Sequence, residues 1–385
     1  LILFLFTTTY PYDAGAEQTF LSGEINHLKK VFDRVIIVPS LCNGACLPLP
    51  NGFEVDESYA NVLSTTGLTA ILGAVFLPDF YRDILDRPSI LFHRSMLTRL
   101  INFIGRANLT KRWVKNWIKQ NGVRASDCIF YTYWFDYSAM GIGLARQDYP
   151  DICLVSRAHG YDLYEERHAH NYWPCRRRAI FLLDRLYLDS EAGQRYISER
   201  HPEHKSKYGT AFLGVDPAGF SSTQSKDNTF RIVSCSRIVP VKRVELMLEG
   251  VIHAARRRPK VRFEWHHFGN GDTREILQKR VSDAFPANAS GFLPGYSTQS
   301  DLLQFYRDNP VDIFINASES EGTPVAVMEA LSCGIPVIAT AVGGNAEIVP
   351  SRNGLLLDPN PSAEDIANAM LEIQSSPKVA RSKRM

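Results

Sequence analysis

Two carboxylates and a helix start occur together in one short stretch of the chain. Glu321 lies in a loop rich in Ser, Glu and Gly, and Glu329 follows eight positions later. The apolar run 311–315 predicts a buried strand before the loop, and the segment 325–332 predicts a helix after it. Free backbone N–H groups at that helix N-terminus, together with carboxylates, suit the phosphate and hydroxyl oxygens of a ligand. An ordinary strand-to-helix turn with solvated glutamates is the alternative.

The ends of this helix are marked by residues with special backbone properties. Pro324 suits the first helical position, where a missing N–H costs nothing. Gly334 is expected to stop the helix, and the run 336–339 predicts the next strand. We therefore expect both glutamates to face the crevice beyond the strand ends, where open α/β sheets bind ligands.

The residue pattern of this stretch resembles the donor-site motif of the family 4 retaining glycosyltransferases. The shared pattern is Ser-x-x-Glu-Gly-x-Pro-x-x-x-x-Glu-Ala-x-x-x-Gly-x-Pro-Val, beginning at Ser318, in which seven residues separate the two glutamates. The segment 212–217 is similar to the linker that ends the first domain of the family. The resemblance is specific over about 213–373, weaker over 1–40 and 128–215, and essentially absent between these ranges.

A loop after the predicted strand 230–235 extends the resemblance. Family 4 members have Gly-Arg-hydrophobic-x-x-x-Lys-Gly there; Arg237 and Lys242 match the two cations, whereas Ser236 and Arg243 replace the two glycines. In the family these cations hold the diphosphate of a nucleotide sugar. Breaking a glycosyl phosphate bond leaves a diphosphate with growing negative charge, which two cations stabilise without a metal. A basic loop that simply precedes a helix is the alternative.

The resemblance implies an α/β protein of the GT-B architecture, with two Rossmann-like, doubly wound parallel-sheet domains facing across a cleft. The length of 385 residues exceeds what one core usually holds, which also predicts two domains. The expected division is an N-terminal acceptor-binding domain over 1–213, a C-terminal nucleotide-sugar-binding domain over 214–370, and a tail over 371–385 that crosses back to the first domain.

The resemblance also implies roles for residues at matching positions. The predicted catalytic residues are Glu321, His159, Arg237 and Lys242. The predicted donor-binding residues are Arg237, Lys242, Gly322, Thr323, Pro324, Val325, Glu329, Pro294 and Gly15, and the predicted acceptor-binding residues are Glu17 and Asp162. Glu329 would accept hydrogen bonds from ribose hydroxyls, and Glu321 would hold hydroxyls of the donor sugar. Neither a metal nor a cofactor is expected, because the cations take the metal's place and the donor is the nucleotide sugar itself.

Three of these residues have alternatives from the local sequence. His159 follows a predicted strand, where many relatives carry a histidine near the donor sugar, but an isolated histidine of this kind is more often structural. Gly15 lies in the first loop, which has one glycine where many relatives have two and lacks the dinucleotide fingerprint G-x-G-x-x-G. Glu17 is also explained as an acidic residue in the first turn of a helix.

The run 93–119 is basic, contains no Asp or Glu, and includes Trp113 and Trp117. These features fit a helix lying on an anionic membrane surface. A helix packed on the N-terminal domain with a solvated basic face is the alternative.

Composition is ordinary for a globular protein, with 22% charged residues and a formal net charge of +2. Seven scattered cysteines predict a reducing compartment without a disulfide framework. No apolar run reaches the ~18 residues of a membrane span, and Leu1 to Phe6 reads as a strand rather than a signal peptide. We expect a cytoplasmic protein, peripheral on the inner face of the plasma membrane if 93–119 contacts lipid, with no nucleic-acid partner.

The expected reaction is retaining transfer of a sugar from a UDP or GDP sugar to a glycan or lipid-linked acceptor, in the synthesis of bacterial envelope polysaccharides such as lipopolysaccharide. Two alternatives remain open at this point: a GT-B phosphorylase, and a sugar-nucleotide-binding protein with a degenerate site. The presence of all four charged motif residues disfavours the degenerate site.

Overall fold

Two parallel sheets, one in each half of the chain, form the framework of the protein. The structure is a computed structural model, and its described residues are 1–12, 17–65, 71 and 73–375. The chain divides into two compact units, Leu1–Phe212 and Leu213–Met385. Each unit has its own sheet and its own hydrophobic clusters.

The first unit is built on parallel strands. They are β1 Ile2–Thr7, β2 Arg34–Pro39, β3 Phe53–Val55, β4 Cys128–Thr132, β5 Cys153–Ala158, β6 Arg185–Leu188 and β7 Tyr208–Thr210. Within the described ranges they form a seven-stranded sheet in the order β3-β2-β1-β4-β5-β6-β7. The chain winds outward in opposite directions from β1 and β4, so this pair marks the topological switch point of the sheet.

Helices cover the faces of this sheet. They are Glu17–Val31, Ser58–Thr65, Pro78–Asp86, Arg94–Asn121, Tyr137–Ala145, Gly160–Leu163, Arg176–Leu182 and Glu191–Arg200. Short 3₁₀ turns lie at Gly73–Phe76, Pro88–Phe92, Ala125–Asp127, Glu165–Arg167, Ala169–Asn171 and Pro202–Lys207.

The second unit repeats the same winding. Its strands are β8 Thr229–Cys235, β9 Arg262–Phe268, β10 Ala289–Gly295, β11 Ile313–Asn316, β12 Val337–Thr340 and β13 Gly354–Leu357. Its helices are Val244–Arg257, Arg274–Ala284, Gln299–Asp308, Val325–Ser332, Asn345–Ile348 and Ala363–Ser375, with a 3₁₀ turn at Pro240–Lys242. The described strands pair in the order β10-β9-β8-β11-β12-β13, which places the switch point between β8 and β11.

The apolar strands are buried on both faces of their sheets. In β1, Phe4 and Phe6 join the cluster that includes the helix Arg94–Asn121, whereas Leu3 and Leu5 join the cluster on the opposite face. Alternate side chains of a strand point to opposite faces, so covering both faces requires a continuous apolar run. This is why the strand is recognisable in the sequence without any polar alternation.

The structure confirms the predicted helix Val325–Ser332 and the stop after it, since Gly334 has a φ of 69°. Pro324 differs from the prediction: it precedes the first helical residue, with extended φ and ψ of −79° and 106°. The reason is that the chain turns out of the loop at Pro324, so helical backbone angles begin one residue later.

The final described helix, Ala363–Ser375, packs against Val244–Arg257 of its own unit. Residues 371–375 of the expected tail are therefore its last turn, and 376–385 lie outside the described residues. The expected crossing of the tail to the first unit remains a prediction.

The basic run forms the helix Arg94–Asn121, which packs on the first sheet. Trp113 is buried and its indole N–H donates to Ser58 Oγ at 2.8 Å, while Trp117 donates to Asp56 Oδ2 at 2.7 Å. Both tryptophans thus face inward, in agreement with the alternative of a helix packed on the N-terminal domain. Neither of them is placed to anchor this helix in a membrane surface. Among the described residues, no helix combines the length and apolarity needed to cross a bilayer.

Candidate functional site

The switch point of the second sheet brings the two predicted motif loops together. β8 and β11 are parallel neighbours, so the loops that follow them leave from the same edge of the sheet. The backbone N–H of Glu319 donates to the carbonyl of Val241 at 2.8 Å and joins the two loops directly. Residues about 80 positions apart in sequence, Lys242 and Glu321, thereby become neighbours.

Lys242 and Glu321 form an ion pair at this edge. The Lys242 ammonium donates to both carboxylate oxygens, at 2.6 and 2.7 Å. The Glu321 side chain is only 7% exposed, whereas that of Lys242 is 24% exposed, so the cation remains accessible to a ligand. Burial opposes ionisation of Glu321, but Lys242 and hydrogen bonds from Ser318 and Asn316 outweigh it and hold the pKa below its usual value. Glu321 is therefore ionised at neutral pH.

Asn316 and Asn345 support this pair and were not predicted from the sequence. Asn316 Nδ2 donates to Glu321 Oε1 at 3.0 Å, and its Oδ1 accepts from the backbone N–H of Ser318 at 3.1 Å. Asn345 Nδ2 reaches the same Oδ1 at 3.4 Å and the carbonyl of Thr340 at 3.0 Å. The only available signal was an asparagine at the end of an otherwise apolar strand, next to the motif.

Glu329 lies on the helix Val325–Ser332 and is buried. Gln299 Nε2, from the first residue of another helix, donates to Glu329 Oε1 at 2.7 Å. Burial raises the pKa of Glu329 to about 7, and the hydrogen bond from Gln299 offsets this only in part. Among the described residues, Glu329 has no cationic partner of the kind that Lys242 provides for Glu321. A ligand that supplies hydrogen-bond donors would stabilise its ionised form.

Glycines let neighbouring loops approach the motif backbone closely. A Cβ on Gly343, whose φ is 49°, would lie 1.9 Å from the carbonyl oxygen of Glu321. A Cβ on Gly269 would lie equally close to the carbonyl oxygen of Ser236, at the start of the cationic loop. No other residue type fits at either position without moving the loop that carries a predicted site residue.

Arg243 occupies a position where family 4 members have glycine, and its φ of 48° is in the left-handed region. Its guanidinium donates to the carbonyl of Pro359 at 2.8 Å and to Asn360 Oδ1 at 2.7 Å. These bonds offset the strain of a non-glycine residue in this conformation, which is about 1–2 kcal/mol. The substitution therefore preserves the backbone shape that the glycine would give.

The remaining predicted donor residues lie around this edge. Arg237 is exposed in the cationic loop, and Gly322, Thr323, Pro324 and Val325 lead into the helix that carries Glu329. Pro294 is exposed near the carboxyl end of β10, where the strand register is irregular. Their proposed contacts with a donor remain predictions.

His159, in the first unit, lies immediately after β5 and is buried among aromatic rings. The ring centroids of Tyr133 and Trp134 lie 4.8 and 4.7 Å from that of the histidine. Burial, with a contribution from Arg157, lowers the pKa of His159 to about 3, so its ring is neutral. Among the described residues neither ring nitrogen has a hydrogen-bond partner. A buried imidazole in this state can exchange hydrogen bonds with a ligand hydroxyl.

The two predicted acceptor-binding carboxylates have structural tasks that the sequence did not reveal. Glu17 is buried and accepts from the backbone N–H groups of Thr8, Thr9 and Tyr10 at 2.5–2.8 Å and from the indole of Trp134. It therefore fixes the loop after β1. Contact with acceptor hydroxyls remains a prediction for Glu17.

Asp162 accepts from the backbone N–H groups of Phe135 and His159, at 2.6 Å each, and so fixes the position of the histidine. Burial raises the pKa of Asp162 to about 7. Its acceptor contact also remains a prediction. Gly15 lies outside the described residues. Within those residues, no group of three or more His, Cys, Asp or Glu side chains is placed to hold a metal ion.

Comparison with known proteins gives matches of two kinds. Residues 217–385 match the family model described as "Glycosyl transferases group 1". The chain is 30% identical over 159 residues to a phosphatidylinositol N-acetylglucosaminyltransferase subunit of Arabidopsis thaliana, covering 40% of this chain and 34% of that protein. It is 36% identical over 140 residues to a D-inositol 3-phosphate glycosyltransferase of Mycobacteroides abscessus, covering 36% and 30%. The chain thus spans about a third of the length of these curated relatives.

Solved structures match over nearly the whole chain. The lipopolysaccharide outer core galactosyltransferase WaaB has a TM-score of 0.67 at 15% identity, covering 97% of this chain and 90% of that one. Anabaena Alr3699/HepE, solved in complex with UDP and glucose, has a TM-score of 0.64 at 16% identity, covering 100% and 92%. At such low identity these likenesses speak to the fold, and they confirm the predicted class with two Rossmann-like parallel-sheet units.

Proposed function

From the match of residues 217–385 to the family model described as "Glycosyl transferases group 1", we propose that the chain is a retaining glycosyltransferase of that family. The donor is a nucleoside diphosphate sugar, with UDP or GDP as the nucleotide. The acceptor is a glycan or a lipid-linked glycan. The observation that carries the proposal is the accessible Lys242 ammonium, held at the switch point of the second sheet by a buried carboxylate.

Lys242 and Arg237 act on the leaving diphosphate. Glu321 holds the Lys242 ammonium at the sheet edge before the donor arrives, so little reorganisation is needed as negative charge develops. Arg237, exposed in the same loop, supplies the second cation. Each such contact removed from a developing oxyanion raises the barrier by about 2.7–4 kcal/mol in other enzymes.

Glu329 binds the ribose of the nucleotide. Its carboxyl group is buried, has a raised pKa and accepts one hydrogen bond from Gln299. Two ribose hydroxyls would donate to the carboxylate and stabilise its ionised form. One structural relative was solved in complex with UDP and glucose, which supports a nucleoside diphosphate as part of the donor.

Retention of anomeric configuration follows from front-face attack assisted by the leaving phosphate. A double-displacement route needs a carboxylate nucleophile beside the anomeric carbon. The two motif carboxylates are already engaged, Glu321 by Lys242 and Glu329 by Gln299, which supports the front-face route. His159, neutral and without a partner among the described residues, would exchange hydrogen bonds with a donor sugar hydroxyl.

The acceptor belongs to bacterial envelope synthesis on the cytoplasmic side of the membrane. The name of the lipopolysaccharide galactosyltransferase supports a glycan acceptor, and that of the phosphatidylinositol enzyme supports a lipid-linked one. Peripheral membrane contact near 93–119 belongs to the same proposal. It would have to use side chains other than the inward-facing Trp113 and Trp117.

The first experiment measures nucleotide release from a panel of UDP and GDP sugars, with and without extracted envelope glycolipids. We expect release from one donor class, accelerated by the acceptor fraction and retained when inorganic phosphate is omitted. Release that requires phosphate would identify a phosphorylase. Tight nucleotide binding without release under any condition would identify a degenerate binding protein.

Replacing Glu329 with glutamine is expected to weaken UDP or GDP binding about tenfold to a hundredfold at pH 8, since hydrogen bonds to charged groups contribute about 1.5–3 kcal/mol. Burial raises the pKa of Glu329 to about 7, and the ribose hydroxyls favour the ionised form. Wild-type affinity should therefore rise more steeply between pH 6 and pH 8 than that of Glu329→Gln, since the terminal phosphate of the nucleotide titrates equally in both measurements. Isothermal titration calorimetry across this range measures both effects.

Glu319→Gln is the matched control, because Glu319 lies in the neighbouring loop with its side chain 63% exposed. Its nucleotide affinity should follow the wild-type pH profile. Unchanged affinity in Glu329→Gln would remove the ribose role from that residue.

A further inference from the structure

A cavity of about 600 Å³ opens in the first unit at the switch point of its sheet. Thr8 follows β1, Trp134 and Asp136 follow β4, and Tyr161 follows β5, so three carboxyl strand ends contribute to the lining. Open α/β sheets bind ligands at this place. The volume lies within the usual range of small-molecule sites, about 300–1,000 Å³.

One face of the helix Arg94–Asn121 forms a wall of the cavity. Arg99, Asn102, Phe103 and Arg106 all line it. Their spacing of three, four and seven positions places them on a single helical stripe. Part of the basic run 93–119 therefore forms a cavity wall. Neither a membrane contact nor a solvated face explains this arrangement.

The side chain of Arg99 is held in place by neutral groups rather than by a carboxylate. Its guanidinium donates to His168 Nδ1 at 3.0 Å, and His168 Nε2 donates in turn to the carbonyl of Tyr161 at 2.7 Å. Burial and the nearby Arg99 lower the pKa of His168 to about 4, so the ring is a neutral acceptor. The guanidinium also lies 4.9 Å from the ring centroid of Trp173. None of these contacts supplies a negative charge.

Arg106 is held in a similar way. It donates to the hydroxyl of Tyr137 at 3.3 Å and lies 5.3 Å from the centroid of the same ring. In the described part of the chain, neither Arg99 nor Arg106 forms an ion pair with a carboxylate. The two guanidinium groups on this cavity wall thus have no carboxylate at ion-pair distance among the described residues.

The two carboxyl groups of the cavity are occupied elsewhere. Asp136 uses Oδ1 to accept from the backbone N–H and hydroxyl of Ser138, and Asp162 accepts from two backbone N–H groups. Burial raises the pKa of Asp136 to about 6 and that of Asp162 to about 7. The pKa of Asp162 lies near neutral pH, so a bound anion would favour the protonated form of that carboxyl group.

We propose that this cavity binds an acceptor sugar that carries an oxyanion, a phosphate or a carboxylate, with Arg99 and Arg106 contacting the anionic group. The inference rests on the proposed glycosyltransferase function, whose acceptor it specifies. Guanidinium groups recognise both kinds of oxyanion through paired N–H donors. Trp134, Tyr137 and Tyr161 give the walls their aromatic surface, which suits the apolar faces of a sugar ring.

The test measures the binding of three matched hexoses, namely glucose 6-phosphate, glucuronic acid and glucose. Each is added to the whole chain of 385 residues in the absence of any donor. Binding is followed by tryptophan fluorescence, because Trp134 and Trp173 line the cavity, and is repeated by calorimetry. We expect at least one charged sugar to bind about tenfold more tightly than glucose, as one charge-assisted contact provides. The charged hexose that binds more tightly shows whether the cavity recognises a phosphate or a carboxylate.

Arg106→Gln tests the assignment, since Arg106 is exposed at the cavity rim and its loss should not unfold the protein. The variant should lose about tenfold in affinity for the charged hexose and keep its affinity for glucose. Arg99→Gln should do the same. Arg112→Gln, exposed on the same helix but outside the lining, is the matched control and should behave as wild type.

Equal binding of the three hexoses, no binding of the charged ones, or a charge preference that survives Arg99→Gln and Arg106→Gln together would overturn the proposal. A preference abolished instead by Arg237→Gln would place the anion in the second unit and overturn it as well. The binding readout needs no catalysis. If no nucleotide is released, the proposed function is wrong. The hexose measurements still show whether the cavity binds an anionic sugar.

Discussion

Lys242→Met should lower the rate of sugar transfer at saturating donor about 10²–10³-fold, as the loss of one oxyanion contact does in other enzymes. The wild-type ammonium is held 2.6 Å from Glu321 and faces the sheet edge where the diphosphate is proposed to leave. Methionine fills a similar volume but stabilises no negative charge. Steady-state nucleotide release with the donor found in the panel measures the loss.

The same substitution should also destabilise the fold, because it leaves Glu321 buried without its counter-charge. Removing one partner of a buried pair costs about 3–5 kcal/mol. The folded-state pKa of Glu321 is lowered, so the stabilisation that it provides is present above its unfolded pKa and is lost as the pH falls through the folded pKa. Wild type and Lys242→Met should therefore differ in unfolding free energy at pH 7 and converge in acid.

A double variant, Lys242→Met with Glu321→Gln, separates the two effects. It should recover most of the stability, since no buried charge remains, and recover none of the activity. Lys226→Met, exposed in the same unit, controls for the loss of one positive charge. Transfer within a few-fold of wild type in the stable double variant would show that the lysine does not act on the leaving group.

Gly343→Ala should destabilise the second unit by about 2–5 kcal/mol and abolish measurable nucleotide binding. An alanine at φ 49° adds about 1–2 kcal/mol of backbone strain. Its Cβ would also lie 1.9 Å from the carbonyl oxygen of Glu321, and displacing such a neighbour adds about 1–3 kcal/mol. The displaced backbone is that of the loop that positions Lys242. Thermal unfolding and calorimetry measure the two losses.

Gly122→Ala is the matched control. Gly122 has a similar φ of 62°, but no atom lies within 4 Å of the position its Cβ would take. This variant should lose about 1–2 kcal/mol from strain alone and bind nucleotide normally. If Gly343→Ala were no less stable than Gly122→Ala, the close approach to Glu321 would be wrong.

Local sequence signals were enough to predict the helix of the motif and the strands on either side of it. The helix Val325–Ser332 has the predicted bounds because a proline precedes it and a left-handed glycine follows it. The strands on both sides were recognisable because burial on both faces leaves mostly apolar residues. The position of Pro324 was wrong by one residue, which is the ordinary uncertainty of a helix end.

The contacts around the motif residues were not predictable, because they join distant parts of the chain. Gln299 meets Glu329 across 30 positions, and an amide at the start of a helix has no local sign of such a partner. The tasks of Glu17 and Asp162 depend on backbone N–H groups presented by other loops. Nor could the sequence show that Arg243 adopts the conformation of the glycine it replaces.

Each unit has hydrophobic clusters assembled from its own residues, and this has an evolutionary consequence. Substitutions in one sheet need no compensating changes in the core of the other, so the two halves of the gene can diverge at different rates. Under the proposed function, the second unit binds the diphosphate and ribose that all such donors share, whereas the first unit binds the acceptor. Selection would then conserve the second half and remodel the first.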